Sequence, residues 1–162
     1  MAILDYIIPG YKGYRERTES RGTDRAFREY MGSKMKEVHD RLERVKFNIT
    51  SDLSKIALLN DAEQATMLLT KVRDRLRWSN QGFAGNLTGS GQETDAIRAI
   101  EQFDQSLEDH RQTVDSAMGN IEQQFASGAD LKPHFFALTA ALRTMDSHLN
   151  ERESLLRRTI PN

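Results

Sequence analysis

The chain has 162 residues, of which 38% are hydrophobic, 29% charged and 7% aromatic, with a formal net charge of −1 and no cysteine. That length suits one domain burying about 70% of its unfolded surface, and the composition is too apolar for a disordered chain. The missing cysteines exclude disulfides, thiolate metal sites and cysteine nucleophiles. No stretch approaches the roughly 18 uncharged apolar residues of a membrane span.

Residues 1–22 read as a segment apart from a single helical domain over 23–162. Ile3, Leu4, Ile7 and Ile8 recur on one side of a short helix that Pro9-Gly10 stops. A turn-rich stretch with Tyr11, Lys12, Tyr14 and Arg15 follows. With Tyr6, these residues form the candidate binding surface of the chain. Their pattern is that of an interfacial anchor: apolar side chains in lipid, tyrosines at the headgroups, cations on anionic lipid. The competing expectation is that the segment docks into a groove of its own bundle or of a sister subunit.

The first long helix is expected to start at Thr23 as N-cap, with Asp24 in its first turn. Its apolar stripe runs Phe27, Met31, Met35, Val38, Leu42, Val45, Ile49, Leu53 and Ile56, with a period of about 3.6 and hence little supercoiling. Continued to Leu58, this helix measures about 54 Å at 1.5 Å per residue. Asn60-Asp61-Ala62-Glu63 has capping-box spacing and predicts a second helix carrying Ala62, Ala65, Leu69, Val72 and Leu76. Asn48-Ile49-Thr50-Ser51 is the other candidate break. Without either break, one helix runs from Thr23 to Trp78. Gly82, Gly85, Gly89 and Gly91 then form a glycine-rich connector, with Phe83 and Leu87 available to cover the bundle end.

A third helix is predicted over 93–126, with Ile100, Phe103, Leu107, Val114, Met118, Ile121 and Phe125 inward and Ser127-Gly128 ending it. Asp130 caps the last helix, whose first turn tolerates Pro133. Its stripe is Leu131, Phe135, Leu138, Leu142, Met145, Leu149 and Leu156. These pieces predict an all-α fold: an antiparallel bundle of about four long helices with a short N-terminal amphipathic segment.

Charge is unevenly spread. Between Gly10 and Lys46 there are eleven Lys/Arg against seven Asp/Glu, whereas from Gln92 to Asp130 nine Asp/Glu face two Arg. Complementary packing of helices explains this without a ligand, and a basic partner on the acidic face is the alternative. Lys71, Arg73, Arg75 and Arg77 alternate along the second helix, so only Arg73 with Arg77, and Lys71 with Arg75, share a face. These cations are expected to pair with the acidic third helix.

Little else carries chemistry. No Glu-x-x-His occurs, so a carboxylate-bridged dimetal bundle lacks its ligands. His39…Glu43 and His148…Glu151 have helical spacing and read as surface pairs. His110 falls in the gap of the third stripe, and burial would lower its pKa. The glycines match neither a phosphate-binding loop nor a dinucleotide fingerprint, and no serine elbow is present. The short apolar start followed by long charged helices is similar in pattern to membrane-stress proteins of the phage-shock type, which are longer and wind into extended hairpins.

The expected function is that of a non-enzymatic adaptor or assembly subunit acting through protein–protein contacts or self-association. The alternatives are a peripheral membrane protein held by its N-terminal segment and a metal-binding bundle. No cofactor and no nucleic acid are expected. The expected location is the cytoplasm, at most peripheral to the inner face of the membrane.

Overall fold

The computed structural model describes the backbone of residues 3–14, 17–78 and 91–158, with side chains over 3–14, 22–77, 95 and 97–155. Expectations for Arg15, the glycine-rich connector over 82–90 with Phe83 and Leu87, and the Leu156 side chain lie outside the described residues. Helix α1 spans Leu4–Ile7, α2 Arg17–Thr50, α3 Leu59–Trp78, α4 Gly91–Ser127 and α5 Lys132–Arg158, and a 3-10 turn over Leu53–Leu58 joins α2 to α3. No strand occurs among the described residues. The chain is an all-α helical bundle.

Around the bundle the order is α2, α3, α5, α4. Helices consecutive in each hairpin, α2 with α3 and α4 with α5, run antiparallel, as the Lys46–Glu63 and Asp104–Arg152 ion pairs show. Across the hairpins the neighbours are parallel. Tyr30 meets Glu108 and Arg41 meets Asp115 and Glu122 between α2 and α4, while Lys71 and Arg75 meet Asp146 between α3 and α5. The acidic residues of α4 therefore pair with basic α2. The expectation that Lys71 and Arg75 pair with α4 is corrected: α3 is flanked by α2 and α5, and Asp146 supplies the carboxylate.

The stripes predicted from 3.6-residue spacing are buried as one core from Phe27 to Ile49, Ala62 to Leu76, Ile100 to Ile121 and Leu131 to Leu149. Phe103 and Phe125 are only half-buried. The α2 stripe also ends earlier than its period suggests. The α2 helix stops at Thr50, and Leu53 and Ile56 face solvent rather than core. Asp52 takes over there: its carboxylate accepts from the Ser54 backbone N–H at 3.0 Å and from Lys55 Nζ at 2.9 Å, which fixes the tight turn. The break thus falls beside Asn48–Ser51, and α3 starts at Leu59 without Asn60 as its cap.

The other end signals act as their chemistry requires. Gly128 adopts φ +73°, and the Gly128 and Ala129 N–H groups donate to Phe125 and Gln124 carbonyls, a Schellman closure of α4. The Asp130 carboxylate accepts from the Lys132 N–H at 3.1 Å and caps α5. Thr23, in contrast, caps nothing. It lies inside α2, which starts six residues earlier at Arg17, so the boundary expected at residue 22 falls within a helix. Its buried hydroxyl instead accepts from the Lys12 backbone N–H at 3.1 Å, tying the N-terminal segment to α2.

Candidate functional site

The N-terminal segment is where sequence reasoning placed a binding surface, and its side chains divide between two environments. Leu4 and Ile8, four residues apart, turn inward together with Tyr11 and Tyr14, and all four are buried. Ile3 (63% exposed), Tyr6 (94%) and Ile7 face outward, as does Lys12. The apolar face expected from Ile3, Leu4, Ile7 and Ile8 is therefore split, because α1 is a single turn and only its Leu4 edge meets the core. Two glycines let the chain follow the bundle surface. Gly10 (φ +86°) and Gly13 (φ +85°) take left-handed conformations that L side chains resist. At Gly13 an added Cβ would also lie 3.0 Å from Glu101 Oε1.

Beneath this segment lies a buried polar cluster built from four parts of the chain. Arg152 of α5 is the centre, 4% exposed. Its Nε donates to Asp104 Oδ1 of α4 at 2.7 Å, and its Nη2 donates to Asp24 Oδ1 of α2 at 2.8 Å and to the Tyr14 hydroxyl at 3.1 Å. The Tyr14 hydroxyl in turn donates to Asp104 Oδ2 at 2.5 Å, and Tyr11 donates to the same oxygen at 3.1 Å. Arg28 Nε closes the outer side on Asp24 at 2.9 Å. The guanidinium of Arg152 lies 5.0 Å from the Phe27 ring centroid, and the Tyr11 and Tyr14 rings meet edge to face at 5.9 Å.

The electrostatics of the cluster favour one protonation pattern. Burial disfavours the Arg152 charge, but Asp104, with Asp24, more than offsets that, so its pKa lies well above the ordinary value. Burial and the neighbouring Asp104 push both tyrosine hydroxyls up, keeping them as protonated donors. Burial also pushes the Asp104 carboxyl up, opposed by Arg152 and by the hydrogen bonds from Tyr14 and Tyr11. Every member is paired and enclosed, so the cluster's chemistry is a clasp that holds residues 11–14 against α2, α4 and α5. Sequence reasoning assigned no role to Asp104 or Arg152. Their signal was present: Arg152 fills the gap between Leu149 and Leu156, and Asp104 lies four residues after Ile100 and three before Leu107.

The histidines are placed differently. His39 lies 3.9 Å from Glu43 and His148 lies 4.0 Å from Glu151, the neighbour pairs expected from spacing. His110 is half-buried and stacks on His148 across the α4–α5 seam, ring centroids 4.2 Å apart. Burial, and then the neighbouring His148, lower the His110 pKa, with Asp109 opposing. A histidine whose folded pKa is depressed carries no penalty above its unfolded pKa of about 6.5 and costs stability as pH falls below it. The melting temperature is expected to fall between pH 7.5 and 5, and His110→Gln should flatten that slope in calorimetry. Among the described residues no three His, Asp or Glu side chains converge as a metal-ligand set.

No family model, curated protein or solved structure matches this chain. No helix among the described residues is long and apolar enough to cross a membrane. What the surface does offer is large apolar side chains at the end where α2 turns into α3. Leu53 is 86% exposed, and Phe47 and Ile56 are exposed beside it. Met67, in the third turn of α3, and Phe136, in the second turn of α5, are exposed toward the same end.

Proposed function

We propose that this chain is a non-enzymatic helical-bundle adaptor or assembly subunit of the cytosol, acting through protein–protein contacts or self-association. The observation that carries the reading is the exposure of Phe47, Leu53 and Ile56 within ten residues of one another at the corner where α2 turns into α3. Covering such side chains is worth about 1.5–3 kcal/mol each before ordering costs. The corner is stiff, because Asp52 pins its turn, so little freedom remains to be lost on binding. The buried ionic cluster is compatible with the same reading, since its acid, base and phenol groups hold one another and fix the N-terminal segment in place.

The test is light scattering across a concentration series with Phe47→Glu/Leu53→Glu as comparison. Mass rising with concentration in the parent protein and constant monomer mass in the variant, at equal helicity by circular dichroism, is the expected result. A parent protein that stays monomeric and retains no partner from lysate contradicts it.

The membrane reading rests on Ile3, Tyr6, Ile7 and Lys12, the exposed remainder of the N-terminal segment. Vesicles containing phosphatidylserine would have to float the parent protein and release an Ile3→Ser/Tyr6→Ser/Ile7→Ser variant. Equal behaviour of the two ends that reading.

A further inference from the structure

Away from the corner, and adjoining the clasp only at Arg28, the α2–α3 hairpin forms a surface cleft of about 680 Å³. Arg25, Arg28 and Lys36 line it from α2 and Arg73 and Arg77 from α3, against the two acids Glu29 and Asp74. A volume of this size lies within the range of small-ligand sites. The overall charge is −1, so this is a local concentration of cations rather than a share of a basic surface.

The ion pairs around the cleft leave much of its donor capacity unspent. Arg25 meets Glu29 through Nε at 2.8 Å, and Arg28 meets Asp24 through Nε at 2.9 Å. Each pair uses one of five guanidinium N–H donors and holds the side chain in place. Lys36 pairs with Asp40 at 2.7 Å. Arg73 is half-buried in the cleft wall and has no ion-pair or hydrogen-bond partner among the described residues. Gly32 adds a stretch of wall without a side chain, and a Cβ placed there would meet nothing within 4 Å. Guanidinium groups brought together from two helices suit tetrahedral oxyanions with several acceptor oxygens, which take paired N–H bonds from planar forks.

We propose that this cleft binds a phosphate-bearing ligand carrying two or more phosphate groups, with Arg73 as the principal contact on the α3 wall and Lys36, Arg28 and Arg25 spaced along the facing α2 wall. The site goes beyond the adaptor reading and stands without it. It is tested by titration calorimetry with tripolyphosphate at 50 mM and 300 mM salt, and by flotation on vesicles with and without a phosphoinositide. Arg73→Ala should weaken binding at least about tenfold, and Ser33→Glu, an exposed position in the cleft lining, should abolish it. Arg143→Ala, on exposed α5 surface, should leave it unchanged. Circular dichroism on each variant reports folding. Binding to free tripolyphosphate assigns a soluble ligand, and binding confined to phosphoinositide vesicles assigns a lipid headgroup. No binding to either, or binding that Arg73→Ala and Ser33→Glu leave intact, overturns the proposal.

Discussion

Replacing Arg152 with methionine is expected to destabilise the bundle by about 3–5 kcal/mol, the cost of leaving a buried carboxylate without its cation. At this chain length that corresponds to a melting point lower by about 6–20 °C. Methionine fills much of the volume against Phe27 but supplies no donor for Asp104, Asp24 or the Tyr14 hydroxyl. Adding Asp104→Asn should recover part of the loss, because the carboxylate stranded without Arg152 becomes a neutral amide while Asp24 keeps Arg28 as its cation. If the single variant melted within 2 °C of the parent protein, the cluster would not be the clasp described.

Tyr14→Ala should cost a similar amount by a different route. Tyr14 is fully buried, and truncating a buried aromatic side chain typically costs about 3–5 kcal/mol through lost contacts and the cavity left behind. Tyr14→Phe separates the two contributions. It keeps the ring and its edge-to-face contact with Tyr11, but removes the donor to Asp104 and the acceptor for Arg152. A loss of about 1.5–3 kcal/mol is expected for hydrogen bonds to charged groups. Denaturant unfolding of the two variants measures both. The loss should also localise, with proteolytic cleavage appearing first between residues 3 and 14.

The long helices were legible because apolar side chains at 3.6-residue spacing leave few alternatives to side-by-side packing. The ends marked by Gly128 and Asp130 were legible for a local reason, since each acts on backbone groups within a few residues. The end of α2 was harder. Leu53 and Ile56 continue its stripe in register, and only the Asp52 turn takes them out of the core. Thr23 misled for a related reason: it has the chemistry of a cap, but its hydroxyl serves the Lys12 N–H eleven residues earlier in the chain.

The clasp was least legible. Its directly bonded members are separated by up to 138 residues, and each alone reads as a surface charge or an interfacial tyrosine. Only the positions of Asp104 and Arg152 on apolar stripes distinguished them. The basic cleft was half visible. Spacing placed Arg73 and Arg77 on one face of α3, but nothing in the sequence brought Arg25, Arg28 and Lys36 opposite them.

The clasp depends on residues 3–14 being packed against the bundle rather than free in solution. Hydrogen exchange followed by mass spectrometry measures this directly on the unmodified protein. The account predicts that the Tyr11 and Lys12 amides exchange far more slowly than in a free peptide, and that Arg152→Met speeds them more than the core amides of α5. Exchange across residues 3–14 at free-peptide rates in the parent protein would contradict it.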